Sequence, residues 1–119
     1  MAKILVADDS AFMRKILENA IKKSGDHQIT SVPDGGDAIT KYKEISPDVV
    51  FLDITMIKVS GIDALKEIRK MDSKAKIFMC TAVGQDAVIK EATDAGAMGY
   101  INKPFKEDQI IAAVKKAIG

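Results

Sequence analysis

The chain has 119 residues, 47% of them hydrophobic, and its 18 Lys and Arg balance 17 Asp and Glu to give a formal net charge of +1. This length and composition are typical of one globular domain and exclude a disordered or collagen-like chain. No apolar run reaches the ~18 residues of a membrane span, and no basic block marks a nucleic-acid-binding surface. We therefore expect a cytoplasmic monomer, a single domain over residues 1–119 with no effector domain, that binds neither nucleic acid nor membrane.

Five short apolar runs alternate with five amphipathic stretches, a pattern typical of repeated βα units. The predicted strands are Lys3–Ala7, Gln28–Val32, Asp48–Leu52, Lys76–Cys80 and Gly99–Asn102. The predicted helices extend from the N-cap Ser10 to near Gly25, from about Gly36 to Ile45, from Gly61 to Met71, from Gln85 to Ala95 and from Lys106 to Ile118. Runs one, three and four are apolar on successive residues, as in strands covered on both faces, whereas run two alternates like an edge strand. This pattern predicts an α/β fold of the flavodoxin-like, doubly wound type, with a parallel sheet in the order 2-1-3-4-5.

Apolar stripes on two of the predicted helices indicate which side faces the sheet. On the first helix, the stripe consists of Phe12, Met13, Ile16, Leu17, Ala20 and Ile21. On the fifth helix, the stripe of Ile110, Ile111, Val114 and Ile118 leaves Ala113 and Ala117 nearer the edge.

Reactive side chains collect at the predicted carboxyl ends of four strands. Strand one is followed by Asp8 and Asp9, strand three by Asp53, strand four by Thr81 and strand five by Lys103. Because parallel strands end at one edge, and ligands bind where the strand order reverses, we expect three carboxylates to converge there with a hydroxyl and an ammonium group. Each residue alone has an ordinary explanation, such as an acid at a helix start or a turn after a strand. Their joint occurrence in one crevice favours a functional site.

Carboxylates this close repel one another, by about 3 kcal/mol for two unit charges ~5 Å apart at an effective dielectric of ~20. Either one acid keeps its proton or a cation binds. One cysteine, Cys80, and one histidine, His27, cannot build the usual zinc patterns, so the ligands would be oxygens. Such a site suits Mg²⁺, with Mn²⁺ as a substitute. An ionised aspartate is also a competent nucleophile toward phosphorus, and the cation and a lysine would neutralise the phosphoryl oxygens.

Four segments, ILVADDS, VVFLDITM, MCTA and GYINKPF, make the chain resemble a response-regulator receiver domain of two-component signalling over its whole length. The resemblance implies that Asp53 is the phosphoacceptor and also lies in the metal site. It further implies that Asp9 binds Mg²⁺ directly, that Asp8 binds it through water, and that the backbone carbonyl of Thr55 completes the set of ligands.

The same resemblance implies a phosphodonor and an output. A histidine kinase would supply the phosphoryl group, Lys103 would pair with it, and Thr81 and Tyr100 would be switch residues that reshape the surface of the fourth helix, fifth strand and fifth helix. The segments DDSAFMRKIL, GIDALKEI and VGQDA are similar to chemotaxis-type single-domain receivers. The output partner would then be a flagellar or archaellar motor switch or an adaptor. Such a protein is not a turnover enzyme, since it catalyses only its own phosphorylation and dephosphorylation.

Three other functions remain open on the residues alone. A phosphorelay intermediate would carry nearly the same site. A small Mg²⁺-dependent phosphohydrolase with an aspartyl-phosphate intermediate would use the same chemistry, although haloacid dehalogenase-type enzymes place a second acid where Ser10 stands. A flavodoxin-like FMN module would need a phosphate loop, which Gln85 and Asp86 do not offer.

Overall fold

The computed structural model describes residues 2–54, 56, 59–81 and 86–118, and strands and helices alternate along these segments. The strands are β1 (Lys3–Ala7), β2 (Gln28–Val32), β3 (Val49–Asp53), β4 (Ile77–Thr81) and β5 (Gly99–Asn102). The helices are α1 (Ala11–Ser24), α2 (Gly35–Ile45), α3 (Gly61–Met71), α4 (Asp86–Asp94) and α5 (Glu107–Ile118). Within these segments, no helix is both long enough and apolar enough to cross a lipid bilayer.

The strands form one parallel sheet in the order β2-β1-β3-β4-β5. The register runs from Lys3 opposite Gln28 at one edge of the sheet to Thr81 opposite Asn102 at the other. The predicted fold class and strand order are therefore confirmed. The chain passes from β1 to β2 on one side and then crosses back to β3 on the other side of β1. The strand order therefore reverses between β1 and β3, which places a crevice at their carboxyl ends.

Helices cover both faces of the sheet and bury its central strands. On one face, α2, α3 and α4 pack on a cluster that includes Leu5, Val50, Leu52, Leu65, Ile68, Met79 and Ala92. On the other face, α1 and α5 pack on a cluster that includes Ile4, Leu17, Ile21, Phe51, Phe78, Ile110 and Val114. β3 and β4 are buried at every residue, whereas β2 is mostly half-buried at the edge. Cover on both faces explains why the central strands lack the alternation of an edge strand.

Two strand ends and two helix faces differ from the sequence prediction. β3 and β4 each begin and end one residue later than predicted, so Asp53 and Thr81 are the last residues of their strands. Phe12 does not join the buried stripe of α1; it is 71% exposed, and the buried residues of the helix are Leu17, Ala20 and Ile21. On α5 the buried residues are Ile110, Ala113, Val114 and Ala117, while Ile118 is exposed. These four follow the i, i+3, i+4, i+7 spacing of a helix face, which the prediction passed over in favour of the larger side chains.

The connection between β3 and α3 folds back tightly on the end of β3. A Cβ atom at Gly61 would overlap the backbone oxygen of Asp53, and the Gly61 N–H donates a hydrogen bond to the Ile54 oxygen at 2.9 Å. Gly35, the first residue of α2, approaches the backbone oxygen of Val59 in the same manner. Only a residue without a side chain fits such close approaches. The glycines therefore let the chain hold the end of β3, and with it Asp53, in a fixed position.

Candidate functional site

Three aspartates from two adjacent strands meet at the carboxyl edge of the sheet. Asp8 and Asp9 follow β1, and Asp53 ends β3. One carboxylate oxygen from each of the three residues lies within 4.8 Å of the other two. Asp8 and Asp53 are buried, whereas Asp9 is exposed. The structure thus brings together the three acids that the sequence places at these strand ends.

Lys103, just beyond β5, brings a positive charge into this cluster. Its Nζ lies 3.2 Å from Asp8 Oδ2 and 3.2 Å from Asp53 Oδ1. Partial burial acts to lower the pKa of Lys103, but the negative charges of Asp53 and Asp8 together outweigh it and raise the pKa above its ordinary value. Lys103 is therefore cationic at neutral pH. The one positive charge of Lys103 does not balance the three carboxylates.

The local structure at the start of α1 fixes Asp8. Ser10 is the N-cap of α1, and its hydroxyl oxygen accepts from the Met13 N–H at 3.2 Å. The Ser10 N–H in turn donates to Asp8 Oδ1 at 2.9 Å. Asp8 Oδ2 is buried, and among the described residues it accepts no hydrogen bond and has only the ion pair with Lys103. A buried, under-coordinated carboxylate oxygen beside two other carboxylates fits a hard divalent cation such as Mg²⁺.

The other predicted site residues occupy different positions. Thr81 ends β4 beside β3 and is buried, and its backbone oxygen accepts from the Lys103 N–H at 2.7 Å. Tyr100 lies in β5 and is 50% exposed. Thr55, whose carbonyl is the predicted metal ligand, lies outside the described residues. Burial, followed by the charges of Asp53 and Asp8, strongly raises the pKa of the Cys80 thiol, so this cysteine stays protonated and is not a nucleophile.

Arg14 contacts the site although it is absent from the residues predicted above. Its Nη1 donates to the backbone oxygen of Asp8 at 2.6 Å. The sequence could have indicated Arg14 through its place in the first turn of α1, because helical side chains point back toward the amino end of their helix. The position of Arg14 in the helix does not, however, identify which group its side chain reaches.

The parallel sheet, its strand order and the acid-and-lysine cluster at its carboxyl edge define the response-regulator receiver class. The chain matches the model of the response regulator receiver domain family over residues 4–115 and belongs to that family. It is 46% identical over 114 residues to the chemotaxis protein CheY of Thermotoga maritima, covering 96% of this chain and 95% of that protein. It is 43% identical over 116 residues to the chemotaxis protein CheY of Bacillus subtilis, covering 98% of this chain and 97% of that protein.

A solved structure shows the same fold. The response regulator receiver domain protein from Clostridium thermocellum matches with a TM-score of 0.92 at 28% identity, covering 99% of this chain and 94% of that chain. The chain is therefore a CheY-like receiver domain of two-component signalling, as the sequence motifs predict. Receiver domains and CheY are signalling proteins rather than classical enzymes, so the family match disfavours the phosphohydrolase and FMN interpretations.

Proposed function

We propose that this chain is a response-regulator receiver domain that acts in the cytoplasm and that a histidine kinase phosphorylates on Asp53. The observation that carries the proposal is the position of Asp53. Its carboxylate is buried at the end of β3, 3.2 Å from Lys103 Nζ and clustered with Asp8 and Asp9. A carboxylate held beside a cation and two further acids is suited to bind a phosphoryl group together with a divalent metal.

In the proposed transfer, a carboxylate oxygen of Asp53 attacks the phosphorus of the donor phosphohistidine. The new O–P bond forms as the P–N bond breaks, and the imidazole keeps the electron pair and takes a proton from solvent. No general base is needed, because the attacking carboxylate is already ionised. Lys103 pairs with the incoming phosphoryl oxygens.

Mg²⁺, with Mn²⁺ as a substitute, is the cofactor of this proposal. Asp9 and Asp53 would bind it directly, Asp8 through water, and Thr55 through its backbone carbonyl. When bound, the ion supplies positive charge that neutralises the phosphoryl oxygens. The three carboxylates clustered beside Lys103 support a cation at this position.

Phosphorylation adds about two negative charges to the end of β3 and creates new hydrogen-bond acceptors. The buried Thr81, on the neighbouring strand, would turn its hydroxyl toward them, and Tyr100 would rotate inward from its half-exposed position. This change would alter the surface of α4, β5 and α5. A shallow groove of about 490 Å³, lined by residues that include Tyr100, Gln109 and Lys116, lies on that surface. The proposed output partner there is a flagellar or archaellar motor switch component or an adaptor.

Intact-mass measurement after incubation with a small acyl phosphate and Mg²⁺ tests the proposal. We expect the wild-type chain to gain one phosphoryl group and Asp53→Asn to gain none. Asp26→Asn makes the same chemical change at an exposed turn and is the control that should be labelled like the wild type. Labelling of Asp53→Asn to the wild-type extent would refute the assignment.

The beryllofluoride-activated chain then distinguishes motor control from a phosphorelay. Selective capture of a motor or adaptor protein by the activated chain, and not by Asp53→Asn, supports the proposed output. Transfer of the phosphoryl group from the phosphorylated chain onward to a histidine of a second protein would instead identify a relay intermediate.

A further inference from the structure

Arg14 satisfies a backbone acceptor that the sheet leaves unpaired. It is the fourth residue of α1, and its side chain turns back so that Nη1 donates to the Asp8 oxygen at 2.6 Å. The paired residues of β1 end at Ala7, and the last backbone hydrogen bond toward β2 is donated by the Asp8 N–H to the Val32 oxygen at 3.2 Å. The Asp8 carbonyl therefore lies beyond the sheet, and within the described segments no backbone N–H donates to it. A guanidinium donor makes this hydrogen bond a strong, charge-assisted one.

This contact holds the peptide unit that joins Asp8 to Asp9. The Asp8 carboxylate has its own restraints, namely the Ser10 N–H and the ion pair with Lys103. The Asp9 carboxylate is exposed and receives neither a hydrogen bond nor an ion pair from any residue that the structure describes. Its direction is therefore set by the backbone that carries it. Among the described side chains, Arg14 is the one that holds this backbone from outside the acid cluster.

We propose that Arg14 is a positioning residue for the divalent cation: by fixing the Asp8–Asp9 peptide, it orients the Asp9 carboxylate toward the other two acids. The inference rests on the proposed function, because it requires a cation bound at this cluster. Loss of a group that orients a metal ligand typically lowers metal affinity by about 10- to 100-fold. A site with an exposed and otherwise unrestrained ligand depends strongly on such a group.

Calorimetric titration of the full chain with Mg²⁺ tests this role. In Arg14→Met, which keeps the aliphatic stem and removes the guanidinium, we expect the Kd for Mg²⁺ to rise by about tenfold or more. Arg14→Lys keeps the charge but loses the planar fork, so we expect a smaller rise. Lys15→Met is the matched control, since Lys15 is exposed on the same turn and makes no contact with the cluster, and its Kd should stay at the wild-type value.

A second measurement separates positioning from general stability. We expect the Mg²⁺ concentration for half-maximal phosphorylation by a small acyl phosphate to rise in parallel with the Kd in Arg14→Met. The rate at saturating Mg²⁺ should remain near that of the wild type, because Asp53 and Lys103 are unchanged. Thermal melts in a chelator record the stability of each apo variant.

Each outcome bears on the inference. A lower melting temperature with an unchanged Kd would make Arg14 merely structural and overturn the inference. An equal loss of Mg²⁺ affinity in Lys15→Met would also overturn it, because the loss would then not be specific to the Arg14 contact. If Arg14→Met does not fold, an unchanged Kd in Arg14→Lys overturns it. A wild-type chain that takes up no Mg²⁺ would refute the proposed cofactor, whereas a wild-type chain that binds Mg²⁺ no better than Arg14→Met refutes only the role of Arg14.

Discussion

At the residue scale, the chemistry of Asp53 follows from the charges around it. Attraction to Lys103 Nζ at 3.2 Å is worth about 5 kcal/mol at an effective dielectric of ~20. Repulsion from Asp8 and Asp9, with oxygens within 4.8 Å, costs about 3 kcal/mol each on the same basis. Burial of the ionised carboxylate adds a desolvation cost. The two repulsions together exceed the attraction to Lys103, so the charges of this cluster disfavour ionised Asp53 when no cation is bound.

Asp53→Asn should therefore stabilise the metal-free chain. We expect the free energy of unfolding at pH 7 to rise by about 1 kcal/mol and the affinity for Mg²⁺ to fall, because one charge and one ligand are removed. Urea denaturation in a chelator, followed by calorimetric titration with Mg²⁺, measures both quantities. Asp26→Asn should change neither. A less stable Asn variant with wild-type Mg²⁺ affinity would contradict the charge argument.

At the scale of elements, a hydrogen bond joins α2 to the connection between α3 and β4. The hydroxyl of the buried Tyr42 donates to Asp72 Oδ2 at 2.7 Å, and Asp72 Oδ1 accepts from the Lys74 N–H at 2.9 Å. Burial, then the hydrogen bond and the charge of Asp72, raise the pKa of Tyr42 well above its ordinary value. The pKa of Asp72 is lowered, chiefly by the hydrogen bond from Tyr42. This contact lies at the amino edge of the sheet, opposite the acid cluster.

The raised pKa of Tyr42 predicts a pH-dependent contribution to stability. The contribution is complete below the pKa of an unfolded tyrosine, about 10, and is lost at higher pH because the unfolded chain ionises first. Tyr42→Phe should therefore be less stable than the wild type by about 1 kcal/mol at pH 7, and this difference should shrink above pH ~10. Urea unfolding at both pH values measures it. Tyr100→Phe removes the other, exposed tyrosine hydroxyl and should leave the free energy of unfolding unchanged, and a constant deficit of Tyr42→Phe across pH would contradict the prediction.

The sequence predicts the sheet well because burial on both faces leaves a simple signature. Continuous apolar runs mark β3 and β4, and alternation marks the edge strand β2. The buried faces of the helices are harder to predict, because the size of the apolar side chains and their helical spacing can point to different residues. Ala113 and Ala117 are buried where the larger Ile118 is exposed, since position on the helix decides which side chain meets the sheet. Phe12 shows the same limit, because it is large and apolar and yet lies exposed on α1.

The topology of the sheet makes it possible to predict which side chains meet at the candidate site. It does not make it possible to predict the individual contacts between them. Parallel strands must end at one edge, so Asp8, Asp53 and Lys103 follow from strand order alone. The contact of Arg14 with the Asp8 oxygen depends on a side-chain conformation and on where β1 stops pairing. Neither is encoded in a local pattern. Physical reasoning from the sequence thus identifies the charged groups and misses the group that holds their backbone.

At the scale of the whole molecule, the acid cluster links segments that are far apart in the chain. Asp8 follows β1, Asp53 ends β3 and Lys103 follows β5, so the cluster exists only when the central strands are paired in the native order. An unfolded chain does not hold the carboxylates of Asp8, Asp9 and Asp53 within 4.8 Å of one another. A cation bound by the cluster therefore binds the folded state selectively, and its binding free energy stabilises the entire domain.

Mg²⁺ should accordingly raise the melting temperature in a saturable manner. At a free concentration of 100 times the Kd, the stabilisation is about 2.7 kcal/mol, which for a domain of this size corresponds to a shift on the order of 10 °C. Calorimetric melts across a Mg²⁺ series measure the shift, and addition of a chelator should reverse it. Asp9→Asn removes a direct ligand and should lose most of the shift, whereas Asp26→Asn should retain it. A similar shift produced by a sodium salt of equal ionic strength, or retained in Asp9→Asn, would mean that general charge screening, rather than a bound ion, stabilises the fold.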